Sequence, residues 1–401
     1  SLRPLRQTSA PGRPRDQESS PGQFDGVRFS INLVSPPFQG GVRGGLPSFM
    51  STWKELSENP RLKKIHDERI QILKAIREFF WSAGFQEVET PLALRFPGQE
   101  PYLNPVPVRL LDAGKNIYDW HLRTSPEFAL KKLLAAGYEK IFEIGKCFRG
   151  GEDIRGTHSL EFTMIEWYRC PGELTDIMDD TEKLFKKILR KLGKDSLQYN
   201  GREIPALQKW QRVSLKKLFR KYLKVDLDKY LEIESLKKLA EKVGQKVSDT
   251  DEYEDVFFRI FLNEIEPNLG LERPTFVYDY PARMCSLSRP TNDPKYAERF
   301  ELYVGGLEVA NAFGELLDPD EQKRRLEADQ ALRSKLGKET WPVDPDFISA
   351  LEELSLKRAL PAEALAKAGG IALGLDRMVV LCTGAKDINE VIFNSISDQI
   401  C

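Results

Sequence analysis

Arg149, Glu152, Arg155, His158, Glu161 and Glu166 fall within one stretch, Ile141 to Arg169, which reads IFEIGKCFRGGEDIRGTHSLEFTMIEWYR. Guanidinium groups grip phosphate or carboxylate oxygens, and carboxylates accept from ammonium or amino groups. Apolar residues crowd both arms, Ile141 to Phe148 and Phe162 to Tyr168, while the middle is glycine-rich and charged. That pattern predicts two buried strands of a hairpin joined by a polar loop, with Arg149 where the first strand ends. A glutamate inside a core strand, as Glu166 would be, is stable only with a partner. The hairpin therefore reads as the floor of a site that handles an anion and a cation together.

Three other stretches carry candidate groups. Ser125 and Pro126 start a helix in RTSPEFALKKLLAAG, with Glu127 in its first turn. An acid there complements the helix dipole, and because the helix runs directly into the hairpin, Glu127 is expected near the site. Phe300 to Val304 and Leu307 to Phe313 form a second predicted hairpin through Gly305 and Gly306, bearing Glu301, Glu308, Asn311 and Glu315. Glu301 and Glu308 could both reach one phosphate-bound Mg²⁺, since hard cations take carboxylate oxygens. GGIALGLDRMVVLCTGA, Gly369 to Ala385, describes a strand open to close approach, then a helix bearing Asp376 and Arg377. It is neither a Walker loop nor a GxGxxG turn.

The elements that must position these groups begin at Met50. Asn59 and Pro60 open a helix with Leu62, Ile65, Ile72, Leu73, Ile76 and Phe80 at helical spacing, closed by Gly84 and followed by a strand, Phe85 to Val88. After the hairpin, Thr175 to Leu192 is an amphipathic helix, and the chain to about Leu269 reads as mostly helical, its lysines and the acidic patch Asp249 to Asp255 forming solvated faces. PTFVYDY, Pro274 to Tyr280, is a strand, and Asp320 to Leu332 and Pro345 to Leu354 are helices. Residues 1–49, rich in Pro, Gly, Ser and Arg, are expected to be a disordered or non-native extension, with Met50 as the natural start and 50–401 as one catalytic domain. The 401 residues are 41% apolar and 30% charged with a net charge of −1, which argues against a basic nucleic-acid binder. Five scattered cysteines without a CxxC pair point to a reducing cytoplasm and no zinc site; no run of about 18 apolar residues suggests a membrane span.

Taken in order, WSAGFQEVETP, FRGGEDIRGTHSLEFTMIEWY and GIALGLDR resemble the three signature motifs of class II aminoacyl-tRNA synthetases. RTSPEFALKKLLAAGYEKIFEIGKCFR, EFTMIEWYR and ELYVGGLEVANAFGEL resemble the lysine branch, that is lysyl-tRNA synthetase and its short paralogue, the ligase that modifies elongation factor P. The likeness covers about Pro60 to Ser397. Only about ten residues separate Met50 from the first-motif helix, where the synthetases carry an anticodon-binding barrel, and Ala372 stands where they usually have glycine and the ligases have alanine, a change associated with β-lysine.

The resemblance implies an α+β fold, a mainly antiparallel sheet of about six strands flanked by helices, and ATP-dependent activation of lysine or β-lysine as an adenylate, followed by ligation to a lysine of elongation factor P. It implies that Arg149 bridges the substrate carboxylate and the α-phosphate and that Arg377 holds the γ-phosphate. Glu152 accepts from the adenine amino group, Phe162 stacks beneath the ring, His158 lies near the polyphosphate, and Val309 and Gly374 line the ATP site. Glu301 and Glu308 hold Mg²⁺. Ser125, Pro126, Glu127, Tyr168, Asn311, Glu315 and Ala372 form the amino-acid pocket. The second-motif loop departs from the family, with Gly150 and Gly151 between Arg149 and the acid, and Ser159 and Leu160 before Glu161. It also implies a cytoplasmic homodimer through the first-motif helix, with Phe79 and Trp81 as its second apolar side; tRNA is not expected as a partner. Two other readings stand beside this one: a truncated lysyl-tRNA synthetase paralogue that charges tRNA or another acceptor, and a catalytically silent regulatory paralogue.

Overall fold

The computed structural model describes residues 52–154, 156–357 and 367–399, so the expectation for residues 1–49 and the position of Arg155 lie outside the described residues. The long helix starts where the sequence dictates. The Asn59 side chain accepts from the backbone N–H groups of Arg61 and Leu62 at 3.1 and 3.2 Å, and Pro60 takes a first-turn position where no N–H is needed. The helix runs Pro60–Ser82, and Gly84 leaves it with a φ of +81°. Its buried stripe ends in Phe80, whose ring lies 4.7 Å from that of Phe142 and 5.1 Å from that of Trp167. The first-motif helix is thereby fastened beneath the second-motif hairpin.

Among the described residues the main sheet has eight strands. In chain order they are β1 (Gln86–Glu87), β2 (Lys140–Phe148), β3 (Glu161–Arg169), β4 (Gln211–Ser214), β5 (Thr275–Pro281), β6 (Tyr296–Val304), β7 (Leu307–Gly314) and β8 (Gly369–Gly374). They lie side by side as β1-β2-β3-β8-β7-β6-β5-β4. The six inner strands pair antiparallel, as expected; the two edge strands pair parallel, β1 lying within the strand expected at Phe85 to Val88 and β4, only four residues long, being the one that periodicity did not reveal. Period-two alternation gives the sheet two distinct faces. Phe142, Trp167, Ile371, Ala312 and Phe300 lie on the face covered by Pro60–Ser82 and Leu174–Leu192; Tyr168, Gly370, Phe313 and Arg299 lie on the other.

Two expectations need correction. The stretch after Leu192 is not uniformly helical: Ser196–Tyr199 and Arg202–Pro205 form a hairpin through Asn200 and Gly201, both at positive φ, and Gln211–Ser214 joins the main sheet. Asn-Gly is the strongest two-residue hairpin signal, here obscured by the surrounding lysines. The acidic patch is not merely solvated either. Asp251 accepts from Arg259 at 2.6 Å, and Glu252 and Asp255 cap the helix Tyr253–Ile260. On the first-motif helix, Phe79 packs partly against the core, whereas Trp81 is exposed as expected.

Candidate active site

A single row crosses the sheet. Glu143, Glu166, Ala372, Asn311 and Glu301 stand directly opposite one another on β2, β3, β8, β7 and β6. Residues directly opposite across strands share a face, so backbone register alone lines up two of the predicted acids with Asn311 and Ala372. Glu308 needs one more device. It is three residues from Asn311, so plain alternation would send the two to opposite faces. The pairing shifts register between Leu302 and Tyr303, which puts Glu308 opposite Tyr303 on the site face, and Val309 sits at this irregularity.

Above the row lies a cleft of about 420 Å³. Arg149, Glu152, His158, Phe162, Glu308 and Arg377 line it, and Val309, Asn311, Ala372 and Gly374 form more of its wall. Every residue expected at the nucleotide site is therefore in one cavity of a size that takes a small-molecule ligand. The Arg149 guanidinium covers the Phe162 ring at 5.2 Å, and its Nε is buried without a hydrogen-bond partner. A buried cationic donor left open in a cleft is suited to an anion.

Arg377 is held by the backbone. Its Nη1 donates to the Glu308 carbonyl at 2.8 Å and its Nε to the Thr157 carbonyl at 3.2 Å, while Nη2 lies 3.1 Å from Nε2 of His158. Burial and the Arg377 charge push the His158 imidazole below its usual range, so the ring is neutral at pH 7 and accepts at Nε2. The neighbouring Asp376 is 2.7 Å from Arg69 of the long helix and accepts from the Thr163 backbone N–H at 2.6 Å. This clasp fixes the start of the helix Leu375–Thr383, and with it Arg377, against β3.

The acids expected to hold a cation, Glu301 and Glu308, offer carboxylate oxygens to the cleft's end of the sheet. Glu301 accepts from the Tyr280 hydroxyl and from Arg299, each at 2.5 Å, and from the Tyr303 hydroxyl. A carboxylate offers about four lone-pair sites, so one remains. Desolvation in the cleft and the Glu301 charge raise the Glu308 carboxyl. Glu266, which the sequence did not single out, is pushed up to about 7 by burial and by the charges of Glu308 and Glu301. This surplus of negative charge fits a hard divalent cation. Among the described residues no group of three His, Cys, Asp or Glu side chains could hold a metal alone.

The remaining acids gather beside the cleft, deeper in the fold. Ser125 donates to Glu166 at 2.6 Å and accepts from the Glu127 N–H at 3.0 Å, and the Tyr168 hydroxyl donates to Glu166 at 2.9 Å. Ser125, Pro126 and Glu127 border a small cavity of about 60 Å³ rather than the large cleft. Burial and the nearby Glu127 push the Glu166 carboxyl up to about 8, and burial brings Glu315 to about 7. Glu315 points Oε1 toward Gly370 and Tyr168 with no hydrogen-bond partner. Gly370 is needed there, because any Cβ would collide with both side chains. Lys131 was also missed. It is wholly buried, with Nζ 2.5 Å from Glu127 and 2.6 Å from Glu315. Its signal in the sequence was a second charge, one turn after Glu127, on the stripe that Leu130 and Leu134 make apolar.

Residues 50–395 match the family model of class II tRNA synthetases (D, K and N). The chain belongs to that family. Among curated members of this synthetase family, the lysine–tRNA ligase of Pelotomaculum thermopropionicum is 33% identical over 359 residues, covering 88% of this chain and 67% of that protein. The elongation factor P–(R)-β-lysine ligase of Proteus mirabilis is 34% identical over 332 residues, covering 81% of this chain and 93% of that protein. The ligase of the same name from Enterobacter sp. is 34% identical over 352 residues, with 85% and 97% covered. Both the class II fold and the lysine-branch resemblance are therefore borne out.

Proposed function

We propose that this chain activates lysine or β-lysine with ATP and transfers the aminoacyl group to a lysine side chain of elongation factor P, releasing AMP. The observation that carries the reading is the cross-sheet row: Glu166, an acceptor for ammonium, stands in line with Ala372 and Asn311, and these two line the same cleft as Arg149 and Arg377. A diamino acid lying along the row would have its ammonium groups at the acids and its carboxylate toward Arg149.

In the first step a carboxylate oxygen attacks the α-phosphorus of ATP, the bond from that phosphorus to the bridging oxygen breaks, and pyrophosphate leaves. Such a transfer needs positioning and charge neutralisation rather than a protein nucleophile. Arg149 moves from the Phe162 ring to bridge the two reacting groups, and the base stacks on the aromatic face it vacates. Glu152 accepts from the adenine amino group. Arg377, with neutral His158 beside it, takes the γ-phosphate. Glu308 and Glu301 would hold Mg²⁺, which supplies further neutralisation of phosphate charge. In the second step the amine nitrogen of the acceptor lysine attacks the acyl carbonyl, the bond to AMP breaks, and the amine loses its proton to solvent.

Ala372 favours β-lysine over lysine, because its methyl group fills space between Glu166 and Asn311 that a glycine would leave to the substrate. A homodimer and a cytoplasmic location belong to the same reading. Ile70 and Trp81, three turns apart on one side of the long helix, are 51% and 55% exposed. Cys147, Cys285 and Cys382 are buried thiols, and among the described residues no helix is long and apolar enough to cross a membrane. The second reading, aminoacylation of tRNA, is favoured by the likeness to the Pelotomaculum enzyme.

ATP–pyrophosphate exchange with L-lysine, each β-lysine enantiomer and no amino acid, followed by transfer to elongation factor P or to tRNA, tests the proposal. Exchange that prefers β-lysine with label on elongation factor P is expected. Preference for L-lysine with label on tRNA would replace it by the second reading, and exchange with none of them would leave the silent paralogue.

A further inference from the structure

We infer that Lys131 sets the charge of the amino-acid pocket, so that the pocket takes a substrate with two ammonium groups and rejects one with a single ammonium. The inference rests on the ligase reading and adds a positioning residue to it. Lys131 lies one turn after Glu127 on the helix Glu127–Ala135, and Glu315 reaches the same Nζ from just beyond the end of β7. Both the lysine and Glu315 have no exposed side-chain surface. The other cations nearby are committed elsewhere: Arg123 to Glu143 at 2.7 Å, and Arg289 to Glu298 at 2.5 Å. Ser125 and Tyr168, which serve Glu166, are neutral donors.

With Glu127, Glu166 and Glu315 ionised, Lys131 cancels one of three charges. Two remain, the number that the ammonium groups of lysine or β-lysine bring. A buried site tolerates little net charge, so a match at two excludes an amino acid that brings one. The raised carboxyls of Glu166 and Glu315 fit this account, since without a dication the surplus is met by protons. Burial works against the charge on Lys131, and the two glutamates outweigh it and hold its ammonium above the usual range. Lys131 touches no reacting atom; it acts through the charge it places between Glu127 and Glu315.

The test compares wild type, Lys131→Met and Lys131→Met/Glu315→Gln in ATP–pyrophosphate exchange with lysine and with norleucine, which has the same six-carbon chain and one ammonium. The single variant should raise KM for lysine about tenfold or more with kcat within about threefold, because ground-state binding is what it loses. The double variant, with two acids and no lysine, again matches a dication and should recover part of that KM. A single variant with unchanged KM, or a double variant weaker than the single, would overturn the inference in favour of plain packing. Thermal melting of the two variants without substrate gives a second reading. Charge matching makes the double variant melt above the single; packing makes it melt at or below. Should the wild type exchange no amino acid at all, the ligase reading falls alone and the melting comparison still decides the role of Lys131.

Discussion

Arg149 is the residue on which the anion end turns. Among the described residues its guanidinium lies against the face of Phe162 with Nε unpaired, so its removal should cost little stability and most of the chemistry. Arg149→Ala is expected to lower pyrophosphate exchange by about 10² to 10³, the loss typical of one charge-stabilising donor. Lys at this position should not restore it, because a point charge lacks the fork that spans two oxygens. At the cation end the signs can be worked out. The Glu166 carboxyl is raised to about 8, so the folded state binds a proton that the unfolded state gives up near pH 4.5. Its contribution to stability is therefore full below the unfolded value and is lost as pH rises toward about 8. The melting temperature should fall over that range, and Glu166→Gln should flatten the fall, leaving the smaller part due to Glu315. Binding of a dication should release protons at pH 7, measurable by titration calorimetry in buffers of different ionisation enthalpy. Ala372→Gly is expected to shift the preference in exchange from β-lysine toward L-lysine.

At the scale of elements, period two and capping chemistry made most of the fold legible. The apolar crowding of Ile141 to Phe148 and Phe162 to Tyr168 around a polar, glycine-rich middle was enough for the hairpin, and Asn59-Pro60 with Gly84 bounded the long helix within two residues. Phe80→Ala should destabilise the protein by about 3 to 5 kcal/mol, since the ring is wholly buried against Phe142 and Trp167. Loss of the Asn59 cap in Asn59→Ala should cost about 1 kcal/mol; both are read by denaturant unfolding. What could not be read from the sequence was relational. Nothing in LYVGGLEVAN announces that Val309 interrupts the ladder, yet without that shift Glu308 and Asn311 would face opposite sides. Lys131 could not be paired from the sequence because its partner Glu315 is 184 positions away. Glu266 was invisible for the same reason: its neighbours Glu301 and Glu308 come from a different element.

For the whole molecule, the prediction that matters is the state of assembly. Light scattering at micromolar concentration should give the mass of two chains, and Trp81→Glu, which puts a charge on the exposed stripe of the long helix, should shift it toward one. That same helix carries Arg69, and Arg69 grips Asp376, the residue before the arginine assigned to the γ-phosphate. The stripe proposed for subunit contact and the arginine that grips Asp376 thus share one helix. Linkage between two such equilibria is reciprocal. If pairing of the chains steadies Arg377, then ATP must tighten the pairing by the same factor, and the concentration at which dilution parts the dimer becomes a function of the nucleotide supply.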